Sequence, residues 1–227
     1  MPLTFKGLSA TNFIKLDTEG TPTVVDLQYS KNGGSWTSYT IKDVIELASG
    51  DTIAFSGNNN VFSKTVNDIY TFKLSGTFEA EGNIQSLMNF SNSTSNYCYV
   101  KLFNRCSQLT KADNLLIPAS TLAPSCYIAM FQNCNNMVYG PKELPALTVP
   151  DWCYQSMFSS CSKLISAPKI GATSISQFGF FYMFWHCSNL SEIEVDMTSW
   201  SSSSNAYTNW VQNIASTGTF IKPTDLP

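Results

Sequence analysis

The most reactive side chains in this 227-residue sequence are seven cysteines, and they recur at regular intervals. Cys98, Cys126 and Cys153 form one series; Cys106, Cys134, Cys161 and Cys187 form a second. A cysteine of the first series precedes one of the second by eight residues, as Cys98 does Cys106, whereas a structural zinc site uses closely paired ligands such as C-x2-C. Free cysteine is among the most buried residue types, so both series read as columns of small packed side chains. Disulfides between units would need Cα atoms within about 7 Å. Gly179 stands where the first series would have its fourth member, a gap that a packing column tolerates and a covalent framework does not. An odd cysteine count also leaves one thiol over in a fully paired scheme.

The other reactive groups are sparse. His186 is the single histidine, and it shares its slot with Arg105, Asn133 and Ser160. A slot that accepts any polar residue predicts a solvated position, and no nucleophile motif stands beside it to complete a Ser-His-Asp arrangement. Gly33-Gly34 lacks the Gly-Lys-Ser/Thr and the helix of a phosphate loop. Asn89, Asn92 and Asn189 begin N-x-S/T triplets, which are chance matches without a eukaryotic secretory context. Carboxylates are scattered, with no EF-hand spacing. A glycan hydrolase would need two of them paired across a cleft; Glu194 and Asp196 are the nearest candidates and do not read as such a pair. The expectation is a chain with no catalytic residue, no metal and no cofactor.

These residues are positioned by a repeat. Leu102, Met130, Met157 and Met183 each begin the pattern Met/Leu-Phe-x-x-Cys-x-x-Leu/Met, and its Phe positions step by 28, 27 and 26 residues. Cys98-Tyr99, Cys126-Tyr127, Cys153-Tyr154 and Gly179-Phe180 precede each core. A period between about 20 and 50 residues implies units that bury an apolar face only by stacking. Pro124 and Pro150 look like first-turn prolines of helices, and the four-residue spacing of Cys126, Met130 and Cys134 puts them on one helix face. The pattern therefore predicts a helix of two to three turns in each unit, followed by a short strand near 109–112, 137–140, 164–167 and 190–193.

Residues 1–85 contain no cysteine and read as short strands at 3–8, 13–16, 24–29, 36–41, 44–47, 52–56 and 70–78, divided by turns such as Lys31-Asn32-Gly33-Gly34. Seven such strands predict an antiparallel sandwich. Only 13% of residues are charged, net charge is −3 and Arg105 is the lone arginine. No basic stripe exists to neutralise phosphates, which argues against a nucleic-acid partner. No run of about 18 apolar residues is present to insert in a membrane. The surface must be Ser, Thr, Asn and Gln, which suits an extracellular or particle-borne protein. Met1 leads directly into a strand pattern, without the regions of a secretory signal. Asp225-Leu226-Pro227 stops abruptly, which points to a natural chain that continues.

The Cys-Tyr-x-x-Met-Phe-x-x-Cys-x-x-Leu unit, followed by a proline-flanked strand, resembles the BspA-type leucine-rich repeats of bacterial surface proteins, above all those of gut Bacteroidales and their phages. The resemblance covers about residues 98–200, the tail 209–220 is similar to the terminal cap of such arrays, and the first half resembles the β-rich domain that often precedes them. It implies surface display and adhesion or ligand recognition. Cell-surface members carry an export signal, whereas virion proteins need none, so either a bacterial surface or a phage particle is implied.

The combined expectation is an N-terminal all-β sandwich (1–88), then a short α/β leucine-rich-repeat-like solenoid of about four units (89–200, with units near 98–124, 125–150, 151–177 and 178–200), then a C-terminal cap (201–227). Its function would be non-enzymatic recognition of a surface glycan or protein, or else an architectural role against other virion subunits, with homo-oligomers in scope. Contact residues should be those that vary between units: Lys111, Tyr139, Lys142, Lys169 and Glu192 on the strand wall, and Trp185 and His186 beyond the helix. Tyr139 and Trp185 lead, because aromatics dominate binding hot spots.

Overall fold

The computed structural model describes residues 1–22, 24–200 and 205–226. Eight strands precede the repeats: β1 (Leu3–Gly7), β2 (Thr11–Glu19), β3 (Leu27–Lys31), β4 (Thr37–Ser38), β5 (Ile45–Ala48), β6 (Thr52–Gly57), β7 (Ile69–Ser75) and β8 (Phe78–Asn83). Alternation sets their faces: along β2, Asn12, Ile14 and Leu16 are buried while Thr11 and Phe13 are exposed. The segment expected as one strand over 70–78 is two. Gly76 turns the chain between β7 and β8 at a φ of +99°, and a Cβ there would fall 2.5 Å from Asn12 Oδ1. The turn moves the chain between sheets, because β7 belongs to the sheet β5-β2-β7 and β8 to the sheet β4-β3-β6-β1-β8-β9, whose last member β9 is Leu109–Leu116. Phe72 of β7 meets Phe5 and Phe55 of the larger sheet, with ring centroids 4.8 and 5.3 Å apart. The buried Asn12 side chain is fully partnered: Oδ1 accepts from the Ser9 and Thr77 amides, and Nδ2 donates to the Ser9 and Leu47 carbonyls.

The repeats contain no α-helix. Among the described residues the one helical element is a 3₁₀ turn, Ile84–Leu87, so the α/β solenoid is overturned: apart from that element the described chain consists of strands, turns and irregular segments. What replaces the helices explains the error. In each unit every fourth residue is left-handed: Tyr97, Lys101 and Arg105; Ser125, Ala129 and Asn133; Trp152, Ser156 and Ser160; Phe178, Tyr182 and His186. Their φ values lie between +52° and +63°. The result is a wave of turns with a four-residue period. Cys126, Met130 and Cys134 share a face of that wave as they would share a helix face, so the periodicity was real and its cause was different.

Backbone bonding in a rung alternates. The amides of Val100, Leu102 and Asn104 donate to carbonyls three residues back, while those of Tyr99, Lys101, Phe103 and Arg105 donate to Cys126, Ile128, Met130 and Gln132 of the next rung, at 2.8–2.9 Å. The same crossing links Phe131 to Met157, Phe158 to Met183 and Phe184 to Trp210. A rung thus directs its free amides one way along the stack and is satisfied only by its neighbours. The apolar columns follow the same axis. Phe103, Phe131, Phe158 and Phe184 stack at 5.0–5.5 Å. Tyr99, Tyr127, Tyr154 and Phe180 stack beside them at 5.7–6.0 Å.

Both ends of the stack differ from expectation. At the first rung, Phe72 of β7 acts as a preceding rung would: its amide donates to Leu102, its ring stacks on Phe103 at 5.6 Å, and its carbonyl accepts the Cys106 thiol. At the far end, Asn205, Asn209 and Asn213 are left-handed in the same four-residue step, so residues 205–213 form a fifth rung rather than an unrelated cap. Residues 201–204 and 227 of the expected cap lie outside the described residues. The strands expected at 137–140 and 164–167 reduce to single parallel bridges at Tyr139 and Ser166. Short parallel pairs lie further along each unit: β10 (Glu143–Leu144) with β12 (Lys169–Ile170), β11 (Thr148–Val149) with β13 (Ser174–Ile175), and β14 (Glu192–Glu194) with β15 (Thr219–Ile221). One hydrophobic core runs without a break from Leu3 to Leu226.

Candidate functional site

The strand wall gathers five of the seven expected contact residues. Parallel bridges join Lys111 to Tyr139, Tyr139 to Ser166 and Ser166 to Glu192, which lines up one residue per rung. Tyr139, Lys142, Lys169 and Glu192 border a groove of about 280 Å³ together with Glu194. Tyr139 is 43% exposed, and Lys111 Nζ lies 5.8 Å from its ring centroid. Lys111 also reaches Asp113, and Lys169 Nζ lies 3.1 Å from Glu194 and 3.2 Å from Asp196. Hydrogen bonding to Glu194 and then Asp196 raises the Lys169 pKa above its ordinary value. The two carboxylates therefore share one ammonium instead of facing each other across a cleft. This wall offers hydrogen-bond donors, acceptors and one aromatic face, and exposed, solvent-screened ion pairs of this kind contribute little to stability.

Trp185 and His186 lie elsewhere, on the turn-built face. Trp185 packs edge-on against His186 at 3.9 Å, and His186 Nε2 is 3.1 Å from Asn213 Nδ2 of the fifth rung. They end a strip of rings. Trp152 stacks on Phe178 at 3.8 Å, Phe178 meets Phe181 at 5.5 Å, Phe181 meets Tyr182 at 4.2 Å, and Tyr182 meets Trp185 at 5.6 Å. These side chains are half-buried, with His186 exposed. Sequence reasoning named only the last two. The signal for the others was present: Trp152 and Phe178 occupy equivalent slots of adjacent units, and Phe178, Tyr182 and His186 step by four.

Four of the strip's residues, Trp152, Phe178, Tyr182 and His186, are left-handed. That conformation suits glycine and asparagine and is an outlier for bulky side chains. The fifth rung shows the relaxed solution, with asparagine at all three such positions. Rungs one and two place mostly small or polar side chains there, Tyr97 being the aromatic exception. Strain and aromatic exposure thus coincide on the third and fourth rungs.

The thiols of the second cysteine column are not poised as nucleophiles in this arrangement. All seven cysteines are free and buried, and burial pushes the Cys106 and Cys187 thiols up to about 12, far from the thiolate a nucleophile needs. Among the described residues, no three His, Cys, Asp or Glu side chains are grouped to hold a metal ion, and no helix is long and apolar enough to cross a membrane. A separate apolar cleft of about 380 Å³ opens at the C-terminal end, between Trp200, Trp210, Val211, Ile214 and Phe220. No family model, no curated protein and no solved structure matches the chain.

Proposed function

We propose that this is a non-enzymatic recognition protein of a bacterial surface or a virion, which binds a glycan or protein through the aromatic strip running from Trp152 to His186. The observation that carries the reading is the concentration of aromatic side chains at left-handed positions on adjacent rungs. Such strain costs on the order of 1–3 kcal/mol per residue and persists where it serves a site. Stacked, half-exposed rings bordered by neutral polar residues suit the apolar faces of sugars or the aromatic anchors of a protein partner. The wall groove around Tyr139 is the secondary contact surface. The resemblance of the units to BspA-type repeats supports the same function.

The test is a triple variant, Trp152→Asn, Phe178→Asn and Tyr182→Asn, compared with the parent on a glycan array. The parent binds a defined set of glycans, and the variant loses them while keeping its denaturation midpoint. Unchanged binding by the variant would refute the strip as the site. A second reading, an architectural component packed against other subunits, is favoured by the apolar C-terminal cleft. A parent that binds no glycan and co-assembles through that end would select it.

A further inference from the structure

The two cysteine columns differ in how their sulfurs are held. In the second column each thiol donates to a phenylalanine carbonyl of the preceding layer: Cys106 to Phe72, Cys134 to Phe103, Cys161 to Phe131 and Cys187 to Phe158, at 3.0–3.2 Å. Among the described residues the first column shows no such carbonyl contact. There Cys126 Sγ and Cys153 Sγ face each other at 2.7 Å, well inside the separation at which two unbonded sulfurs rest. Their rungs are in direct register, since the Tyr127 amide donates to the Cys153 carbonyl at 3.1 Å. Neighbouring strands in register lie about 4.8 Å apart, within the Cα separation that a disulfide spans.

We infer that Cys126 and Cys153 form an inter-rung disulfide under oxidising conditions, while the second column stays reduced. The oxidant is a low-molecular-weight disulfide. The Cys126 thiolate attacks one of its sulfurs and releases one small thiol, leaving a mixed disulfide. The Cys153 thiolate then attacks the Cys126 sulfur and releases the second small thiol. Two protein thiols lose two electrons and two protons, and the small disulfide gains them. Burial holds the Cys153 thiol well above its ordinary pKa, so the exchange proceeds before the rungs close, during folding, rather than on the finished stack. Cys98, the third member, stays a thiol because Cys126 can pair only once. The bond would tie the second rung to the third directly beside Trp152, and it would persist only where the surroundings are oxidising. This inference stands apart from the recognition reading, since thiol chemistry and ligand binding are measured separately.

The test is refolding of the full chain from denaturant in a reduced/oxidised glutathione couple, followed by intact mass and thiol titration in denaturant. The oxidised product should be lighter by two hydrogens, with two fewer thiols than the seven of the reduced chain. Trypsin releases 112–142 and 143–163 as a linked pair, each with one cysteine of each column, and fragmentation should place the link at Cys126 and Cys153. Cys134→Ser should keep the link and Cys126→Ser should abolish it; should Cys126→Ser not fold, mapping of the parent chain decides alone. Seven titratable thiols after oxidative refolding to the native circular dichroism spectrum would overturn the inference. So would a link that maps to Cys98 or to the second column.

Discussion

The sheets of residues 1–83 and the rungs that follow bury phenylalanine equally well, yet they satisfy their backbones differently. In β1 and β6 the chain takes its preferred extended conformation and pairs with antiparallel neighbours. In the rungs, left-handed residues recur every fourth position, and half the amides reach only into the next unit. The sheet region is built from locally favourable conformations. A rung is locally unfavourable and becomes stable through what is stacked on it, as expected of units that cannot fold alone. β7 joins the two regimes, because Phe72 serves the sheet pair and the stack at once.

The largest test of that contrast removes a ring from the middle of the stack. Phe131→Ala should cost about 3–5 kcal/mol, and hydrogen exchange should show the second and third rungs opening while amides of β2 and β7 stay protected. Loss of protection across both regions together would erase the distinction.

Titration probes the two regions through different groups. The Cys106 and Cys187 thiols are raised by burial from 9.0 to about 12, so their contribution is full below pH 9 and drains away as pH climbs towards 12. Asp51, in the turn between β5 and β6, is lowered from 3.8 to about 2 by hydrogen bonds from Asn32, the Ala48 amide and Lys31. Its contribution is present above pH 3.8 and is lost as pH falls towards 2. Alkali should therefore loosen the rungs first, seen as thiolate ultraviolet absorbance rising together with Phe-ladder disruption. Acid should first move the resonances of the Lys31–Asp51 turn.

A smaller effect probes the left-handed positions themselves. Asn133→Val should destabilise by roughly 1–3 kcal/mol, because a β-branched side chain resists positive φ, whereas Asn133→Gly should be neutral or slightly stabilising. Valine at Lys73 in β7, where the chain is extended, should stay within about 0.5 kcal/mol. Urea midpoints of the three variants check this. The smallest change is Lys169→Ala, which breaks the exposed contacts with Glu194 and Asp196 and should leave the urea midpoint almost unmoved.

Much of this was legible in the sequence, with a specific blind spot. The recurrence of Phe103, Phe131, Phe158 and Phe184 located the stacked units, and the variable wall positions located Tyr139 with its lysines. The helix was misread because a four-residue wave and a 3.6-residue helix put Cys126, Met130 and Cys134 on the same face. A finer signal existed: none of the fifteen left-handed rung positions, counting the fifth rung, carries Val, Ile or Thr. The fifth rung was missed because Trp210, Val211 and Ile214 replace the Met, Phe and Cys of the motif, leaving the Asn205-Asn209-Asn213 step and Tyr207 in the tyrosine column as its marks. The aromatic strip was legible and passed over: Phe178, Phe181, Tyr182 and Trp185 stand at i, i+3, i+4 and i+7, one face of a helix as well as of the turn wave.

The most direct test reads which carbonyl each rung amide bonds, through NMR scalar couplings across hydrogen bonds in the deuterated protein. Stacked turns predict a coupling from the Phe131 amide nitrogen to the Met157 carbonyl carbon, and from Phe103 to Met130. Couplings to the carbonyls of Tyr127 and Tyr99, four residues back within the same unit, would restore the helix and contradict the stack.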